Sequence, residues 1–419
     1  MNPLYQQMRT SVFERMSALA IKHGAVNLGQ GFPDFGWPDA ILDAAARALR
    51  EGSNQYPPSR GMPALREAIA SFYRRHQQLD VAADHVCVTS GATEALGAAI
   101  LAAASPGDEV IIFTPAYDSY APMIRRAGAT PVEIALKPPE WRIDRAALEM
   151  AVTPRARAIL FNNPHNPAGR LYGADELEIV AAAAREHDLI VIADEVWEKI
   201  VLNPLRNGEG DHLQDGAGGV VQGSDPPPSA LRAATSPSRG GFVSIAALPG
   251  MLERTVKIGS AGKIFSLTGW KVGWMVAAPE VALVVARAHQ FLTFSTAPNL
   301  QAAVAFGLDE GDDWLEPMRR RFERARDRMT DGLHSAGYSV LDAAATYFLC
   351  VDLVASGIAL DDESFATQAV EQAGVAVVPL SAFAERDPPR TLVRLCFGKK
   401  DETIDAGVAA MARAKEMLA

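Results

Sequence analysis

The chain has 419 residues, 48% of them apolar and 21% charged, which suffices for two proper cores and excludes a disordered or fibrous protein. Fifty acidic against forty basic residues leave a formal charge of -10, and no basic cluster interleaved with aromatics occurs; a small-molecule substrate is therefore expected rather than nucleic acid. Three cysteines far apart (Cys87, Cys350, Cys396) and eight scattered histidines give neither a disulfide framework nor a zinc signature, and the HExxH, GxSxG and GKS or GKT patterns do not occur.

The start, MNPLYQQMRTSVFERM, lacks the basic-then-apolar order of a signal peptide, and the small-apolar run LGAAILAAA from Leu96 is too short to span a bilayer, so a cytoplasmic protein is expected. Up to Asp39 the chain reads as an irregular arm rich in Gly and Pro, VNLGQGFPDFGWPD. From Val86 onward, β-branched runs alternate with helical stretches. VCVT precedes TEALGAAILAAA, VIIF the segment after Tyr117, RAILF the run DELEIVAAAAREH, and LIVIAD, TVKIG and VGWMVA follow. Runs apolar on both faces, separated by amphipathic helices, predict an α/β unit with a largely parallel sheet flanked by helices. Such a sheet binds ligands at the carboxyl ends of its strands. The sequence puts Ser90-Gly91, Thr114-Pro115, Asn162-Asn163, Asp194-Glu195 and Ser260 there.

Each strand end suggests a chemistry. Ser90-Gly91-Ala92-Thr93 lies between a strand and a helix, where amides and hydroxyls point at an anion. Tyr117, at the head of the next helical segment, either lies flat on an aromatic ring or packs in the core. In NNPHNPAG, Asn166 sits between two prolines in a rigid turn, placed to donate an amide hydrogen to a phenolic oxygen. Asp194 ends so apolar a strand that its carboxylate needs a partner, such as a pyridinium nitrogen, unless it serves as N-cap for EVWEKI. Residues 203–241, dominated by Gly, Pro, Ser and Ala, far exceed a βα connection and predict a mobile surface excursion, either a tolerated insertion or a lid or dimer-contact flap. In SAGKIFSLTGWKVGW, Lys263 lies between small residues with Phe265, Trp270 and Trp274 near it. Lost solvation would lower its pKa and let a neutral amine attack a carbonyl, although most lysines only snorkel to water. After Pro298 come long helical stretches, then YFLCVDL and TLVRLCF as strands of a smaller domain. The expected division is an arm (1–38), a large domain (39–297) and a small C-terminal α+β domain (298–419).

An anion cup, a stacked aromatic, an amide donor, a buried carboxylate and a reactive lysine together describe a pocket for pyridoxal 5′-phosphate. The segments NLGQGFPDF, NQYPPSRG, SGATEAL, PAYDSY, NNPHNPAG, ADEVWE, VSIAALPGM, SAGKIFSLTGWKVGW and VRLCFGK occur in this order over nearly the whole chain except 203–241. In them the chain resembles the fold-type I aminotransferases of class I/II, and within these the group of kynurenine aminotransferase, glutamine transaminase K and methionine aminotransferase.

The resemblance implies roles for individual residues. Lys263 would carry the cofactor as a Schiff base and, once released, move the proton at the substrate Cα. Asp194 would hold the ring nitrogen, Asn166 the ring hydroxyl and Tyr117 the ring face. Gly91, Ala92, Thr93, Ser260 and Lys271 would hold the phosphate, with Lys271 brought close by Gly269 and Gly273. Tyr56 would reach the phosphate of a neighbouring subunit, which implies a homodimer. Arg394 would clamp the substrate carboxylate and Gly31 would close over it, while Phe32, Phe35, Trp37 and Phe294 are candidates for the walls. Trp197 stands where the group usually has tyrosine, so the pH midpoint of the cofactor band is expected to differ from that of relatives with tyrosine. The implied activity is ping-pong transamination of large neutral, sulfur-containing or aromatic L-amino acids. Elimination from cysteine S-conjugates is the alternative at the same site. A non-catalytic sensor would need an added DNA-binding segment, whereas here every catalytic residue type is present.

Overall fold

The computed structural model describes residues 1–8, 10–203 and 241–419. The predicted excursion 203–241 therefore lies outside the described residues, apart from Asn203 and Gly241. Thirteen strands are described: β1 Val26–Asn27, β2 Val86–Thr89, β3 Glu109–Thr114, β4 Thr130–Ala135, β5 Ala156–Asn162, β6 Ile190–Asp194, β7 Thr255–Ser260, β8 Gly273–Val276, β9 Ser339–Val340, β10 Phe348–Asp352, β11 Val375–Ala376, β12 Val378–Pro379 and β13 Leu392–Cys396.

Seven of these strands form the main sheet, in the order β2-β8-β7-β6-β5-β3-β4. From β7 to β4 all neighbours are parallel, while β8 runs antiparallel to both β2 and β7. The largely parallel α/β sheet read from the sequence is thus present, and VGWMVA supplies its one antiparallel strand. β2, β3, β7 and β8 are buried along their whole length, which explains why the sequence shows continuous apolar runs there and no alternation. The strand missed by the sequence reading is β4, TPVEIA. It pairs only with β3 and is mostly half-exposed, so its pattern carries polar residues.

Register places the site. Asn162 pairs with Asp194 across β5 and β6, and Gly273 at the start of β8 faces both Ser260 of β7 and Thr89 of β2. A one-residue slip would turn Asp194 to the other face of the sheet, so the buried apolar sets of β5, β6 and β7 hold the carboxylate in position.

A second, antiparallel sheet has the order β12-β13-β10-β9 and contains both YFLCVDL and TLVRLCF. Arg394 on β13 faces Cys350 on β10. The N-terminal segment is less irregular than expected. It holds a helix, Val12–His23, capped by Ser11 at one end and by Gly24 at φ 62° at the other, and β1 pairs in parallel with β11. The arm is therefore tied to the C-terminal part of the chain. The helix Pro298–Glu310 packs on the helices Asp39–Glu51 and Pro63–Gln77, on the β2 and β8 side of the main sheet. All three cysteines are free and buried, as small core residues. Among the described residues no helix is long and apolar enough to cross a membrane.

Candidate active site

The carboxyl ends of β2, β5, β6 and β7 open on a cavity of about 300 Å³. Its walls include twelve of the thirteen residues singled out from the sequence: Gly31, Gly91, Ala92, Thr93, Tyr117, Asn166, Asp194, Trp197, Ser260, Lys263, Lys271 and Arg394. Tyr56 is the exception. It is 85% exposed, and its ring meets Phe294 edge-on at 5.8 Å. Of the four aromatic wall candidates only Phe32 lines the cavity. Phe35 is buried against Phe322 under the Arg321 guanidinium, and Trp37 and Phe294 are exposed on the surface.

At the anion end, the helix Gly91–Ala103 has no side-chain cap, so the amides of its first turn remain available to a ligand. Lys271 follows at 3.4 Å from Thr93 Oγ1. Gly273 is required here, because a Cβ on it would lie 2.6 Å from Ala92 N. Gly269 faces open space, so only one of the two glycines expected to bring Lys271 close does so.

Asp194 is buried at the end of β6 and accepts from Tyr120 Oη at 2.6 Å. Burial raises its pKa, opposed by that hydrogen bond, by the Val196 amide and by the charges of Lys263 and Lys257. Asn162 Nδ2 donates to the Asp194 carbonyl at 2.8 Å, and Asn162 Oδ1 accepts from the Asn166 amide at 2.8 Å. The Asn166 side chain gives its oxygen to Arg394 Nη1 at 2.9 Å, which leaves its NH₂ as the donor for a ring hydroxyl. Burial pushes the Tyr117 hydroxyl up to about 12.

Lys263 sits on the single helical turn after β7, with Nζ 4.5 Å above the Trp197 ring and 2.9 Å from Tyr347 Oη. Desolvation lowers its pKa to about 8; Cys396 and Asp194 act the other way, and Arg394 and Lys271 add to the lowering. Arg394 is 1% exposed and lies 3.8 Å from the Phe348 ring. It donates to Asn166 Oδ1 and, at 3.0 Å, to the Gly29 carbonyl, and its Nε has no partner among the described residues. Burial lowers its pKa to about 10, so it stays cationic at neutral pH. A buried guanidinium with neutral partners and an unused N–H is suited to an incoming carboxylate.

The family model for aminotransferase class I and II matches residues 23–411. The chain belongs to that family. This aminotransferase is 40% identical over 411 residues to the probable N-succinyldiaminopimelate aminotransferase DapC of Mycobacterium tuberculosis, covering 95% of this chain and 94% of the relative. It is 36% identical over 409 residues to the methionine aminotransferase of Escherichia coli, covering 96% and 97%. Its structure superposes on that of N-succinyldiaminopimelate aminotransferase from Mycobacterium tuberculosis with a TM-score of 0.87 and 39% identity, over 99% and 100% of the two chains. The cofactor of the family is pyridoxal 5′-phosphate, and the fold is fold type I.

Several residues of the aminotransferase site escaped the sequence reading. Tyr120, Tyr347, Phe348 and Phe13 all touch predicted residues or line the cavity, and Asn162, expected at a strand end without a role, lines it too. Behind the site, Lys257 is fully buried with Glu195 and Glu198, and Tyr73, Gln77 and Ser244 complete the network. A lysine inside the apolar run TVKIG, with two glutamates flanking Trp197, was the available signal for it.

Proposed function

We propose that this aminotransferase takes the amino group of an L-amino acid with a large neutral, sulfur-containing or aromatic side chain, such as glutamine, methionine or kynurenine, and passes it to a 2-oxo acid by a ping-pong mechanism. The observation that carries the substrate class is the wall around Arg394. Phe13, Phe32, Phe348 and Trp197 line the same cavity, and among the described residues its cations are Lys263, Lys271 and Arg394, all with assigned roles. A donor such as N-succinyldiaminopimelate would need a further cation for its distal carboxylates.

Pyridoxal phosphate, when bound, supplies the electron sink that makes the Cα proton of an amino acid labile. The residues present fit it. The uncapped helix end, Ser260 and Lys271 would hold the phosphate, Asp194 the ring nitrogen, the Asn166 NH₂ the ring hydroxyl, and Tyr117 the ring face. Lys263 would hold the cofactor covalently and afterwards move the proton at Cα. At a pKa near 8 a useful share of that amine is neutral at physiological pH, against about one part in a thousand for an ordinary lysine. Arg394 would fix the α-carboxylate under Gly31, and the apolar walls would keep water from the reacting carbon. The same reading gives a cofactor-binding domain of residues 39–297 with a small domain built on 298–419 and the arm, and a homodimer in which Tyr56 serves the neighbouring site.

The test is the visible absorption of the purified protein before and after L-glutamine, L-methionine, L-kynurenine or N-succinyldiaminopimelate, with no oxo acid present. A yellow band that bleaches with a large neutral donor and returns with a 2-oxo acid is the expected result. A band that persists while pyruvate and ammonia accumulate from a cysteine S-conjugate would give precedence to elimination. Bleaching only by N-succinyldiaminopimelate would overturn the substrate class, and a colourless chain that cannot be reconstituted would overturn the role of Lys263.

A further inference from the structure

Lys263 has one oxygen neighbour that none of the roles above uses. Its amine lies between the Trp197 indole face, 4.5 Å away, and Tyr347 Oη at 2.9 Å. Trp197 itself meets the Tyr347 ring edge-on at 4.5 Å, so the indole sets the phenol's orientation but offers no oxygen. The same Tyr347 Oη lies 2.8 Å from the carbonyl of Gly31, on the N-terminal arm. Gly31 can approach because it lacks a Cβ, which would lie 2.6 Å from Phe348 Cζ.

We propose that Tyr347 is a positioning residue that couples the amine of Lys263 to the N-terminal arm through the Gly31 carbonyl. A phenol has one hydrogen to give. While that hydrogen is committed to the Gly31 carbonyl, the phenol oxygen can only accept from an N–H of Lys263. The amine is then oriented by one of its hydrogens and keeps its lone pair free for a proton or a carbonyl carbon. If the arm moves away, the phenol hydrogen turns to the lone pair and blunts it. Seating of the arm over a substrate carboxylate thus switches the lysine from a hydrogen-bond acceptor to a free base. Burial keeps the phenol protonated throughout, since its pKa lies well above the ordinary tyrosine value. This deepens the proposed function and rests on Lys263 as its reactive group.

The test uses the cofactor-free full chain and reads Lys263 directly, as the pH profile of its acetylation by acetic anhydride, quantified by mass spectrometry. The groups facing Lys263 are Cys396, Asp194, Arg394 and Lys271, and all stay unchanged. In Tyr347→Phe the ammonium loses an acceptor, so the labelling midpoint should fall by about half a pH unit, or about threefold faster labelling below the midpoint, with the alkaline plateau unchanged. In Gly31→Ala the phenol is released from the arm, so the midpoint should fall and the plateau rate should fall as well. A Tyr347→Phe profile superimposable on the parent overturns the proposal, and so does a Gly31→Ala plateau equal to the parent's. If Tyr347→Phe does not fold, as judged by circular dichroism, the Gly31→Ala plateau decides alone. Because labelling needs no cofactor, a failure of the chain to take up pyridoxal phosphate would count against the proposed function and leave this result standing.

Discussion

Arg394 carries a full charge to a position where it is almost fully buried, and its partners there are an amide oxygen and a backbone carbonyl. Such an arrangement is costly without an anion, so much of the affinity for a carboxylate should reside in this one side chain. The planar fork matters as much as the charge, because an ammonium at the same place cannot serve Asn166, Gly29 and both carboxylate oxygens together. Arg394→Lys is therefore expected to lower kcat/KM about 100-fold for both the amino acid and the oxo acid, mainly through KM. A loss of less than fivefold in steady-state assays with both substrates would show that the carboxylate is held elsewhere. Asp194 was legible from its own setting, a carboxylate at the end of an apolar strand, whereas Lys263 was only weakly marked by its small and aromatic neighbours and Arg394 was reached through the resemblance alone. Tyr120 and Tyr347 were not legible, because a hydroxyl in such a run is also an ordinary core or cap residue, and only packing shows which atom it meets. Gly269 was misjudged on the same ground. It and Gly273 look alike in sequence, and only the backbone crossing at Ala92 tells them apart.

Between the residues and the sheet stands the question of how the helix Gly91–Ala103 is held with its first turn open to an anion. Glu94, in that first turn, accepts from the Ser90 amide, from Thr293 Oγ1 and from His289, whose other ring nitrogen meets the Ser59 carbonyl at 2.7 Å. Both ring nitrogens face acceptors, so the imidazole is held as the cation. Burial opposes this, but the hydrogen bond and charge of Glu94 and the carbonyls of Ser59 and Phe294 outweigh it, and the pKa of His289 is raised. The pKa of Glu94 is lowered for the complementary reason, burial again being outweighed. For a group with a raised folded pKa, the stabilisation is complete below the unfolded value of about 6.5 and is lost as pH rises through the folded value. Thermal midpoints of the parent are therefore expected to fall as pH rises above about 6.5, and those of His289→Gln to be lower at the acid end and flatter across the range. Parallel curves for the two proteins would mean that His289 carries no extra proton when folded. The sequence displayed the helix and its strand clearly. The tether was hidden, because its members lie about 200 positions apart and no periodicity links them.

At the scale of the whole molecule, the exposed aromatics are not scattered. Tyr56 and Phe291 are each 85% exposed, Tyr56 packs edge-on against Phe294, and Leu283 and Val284 are exposed on the helix that leads to them. The Ser59 carbonyl and Thr293 tie this region to the anion cup through His289 and Glu94. Large apolar side chains in one exposed region mark a surface meant to be covered. A second copy of the chain is the expected cover, because Tyr56 is the one predicted cofactor residue that this chain's own cavity does not include. Light scattering should then give twice the 44.8 kDa of the chain. Phe291→Glu, which buries a charge in that contact if it forms, should shift the mass to a monomer and weaken retention of pyridoxal phosphate by tenfold or more. Tyr56→Phe should weaken retention alone and leave the dimer intact. A monomeric Phe291→Glu that holds the cofactor as tightly as the parent would show each site to be complete within one chain, and Tyr56 would then be only part of the contact.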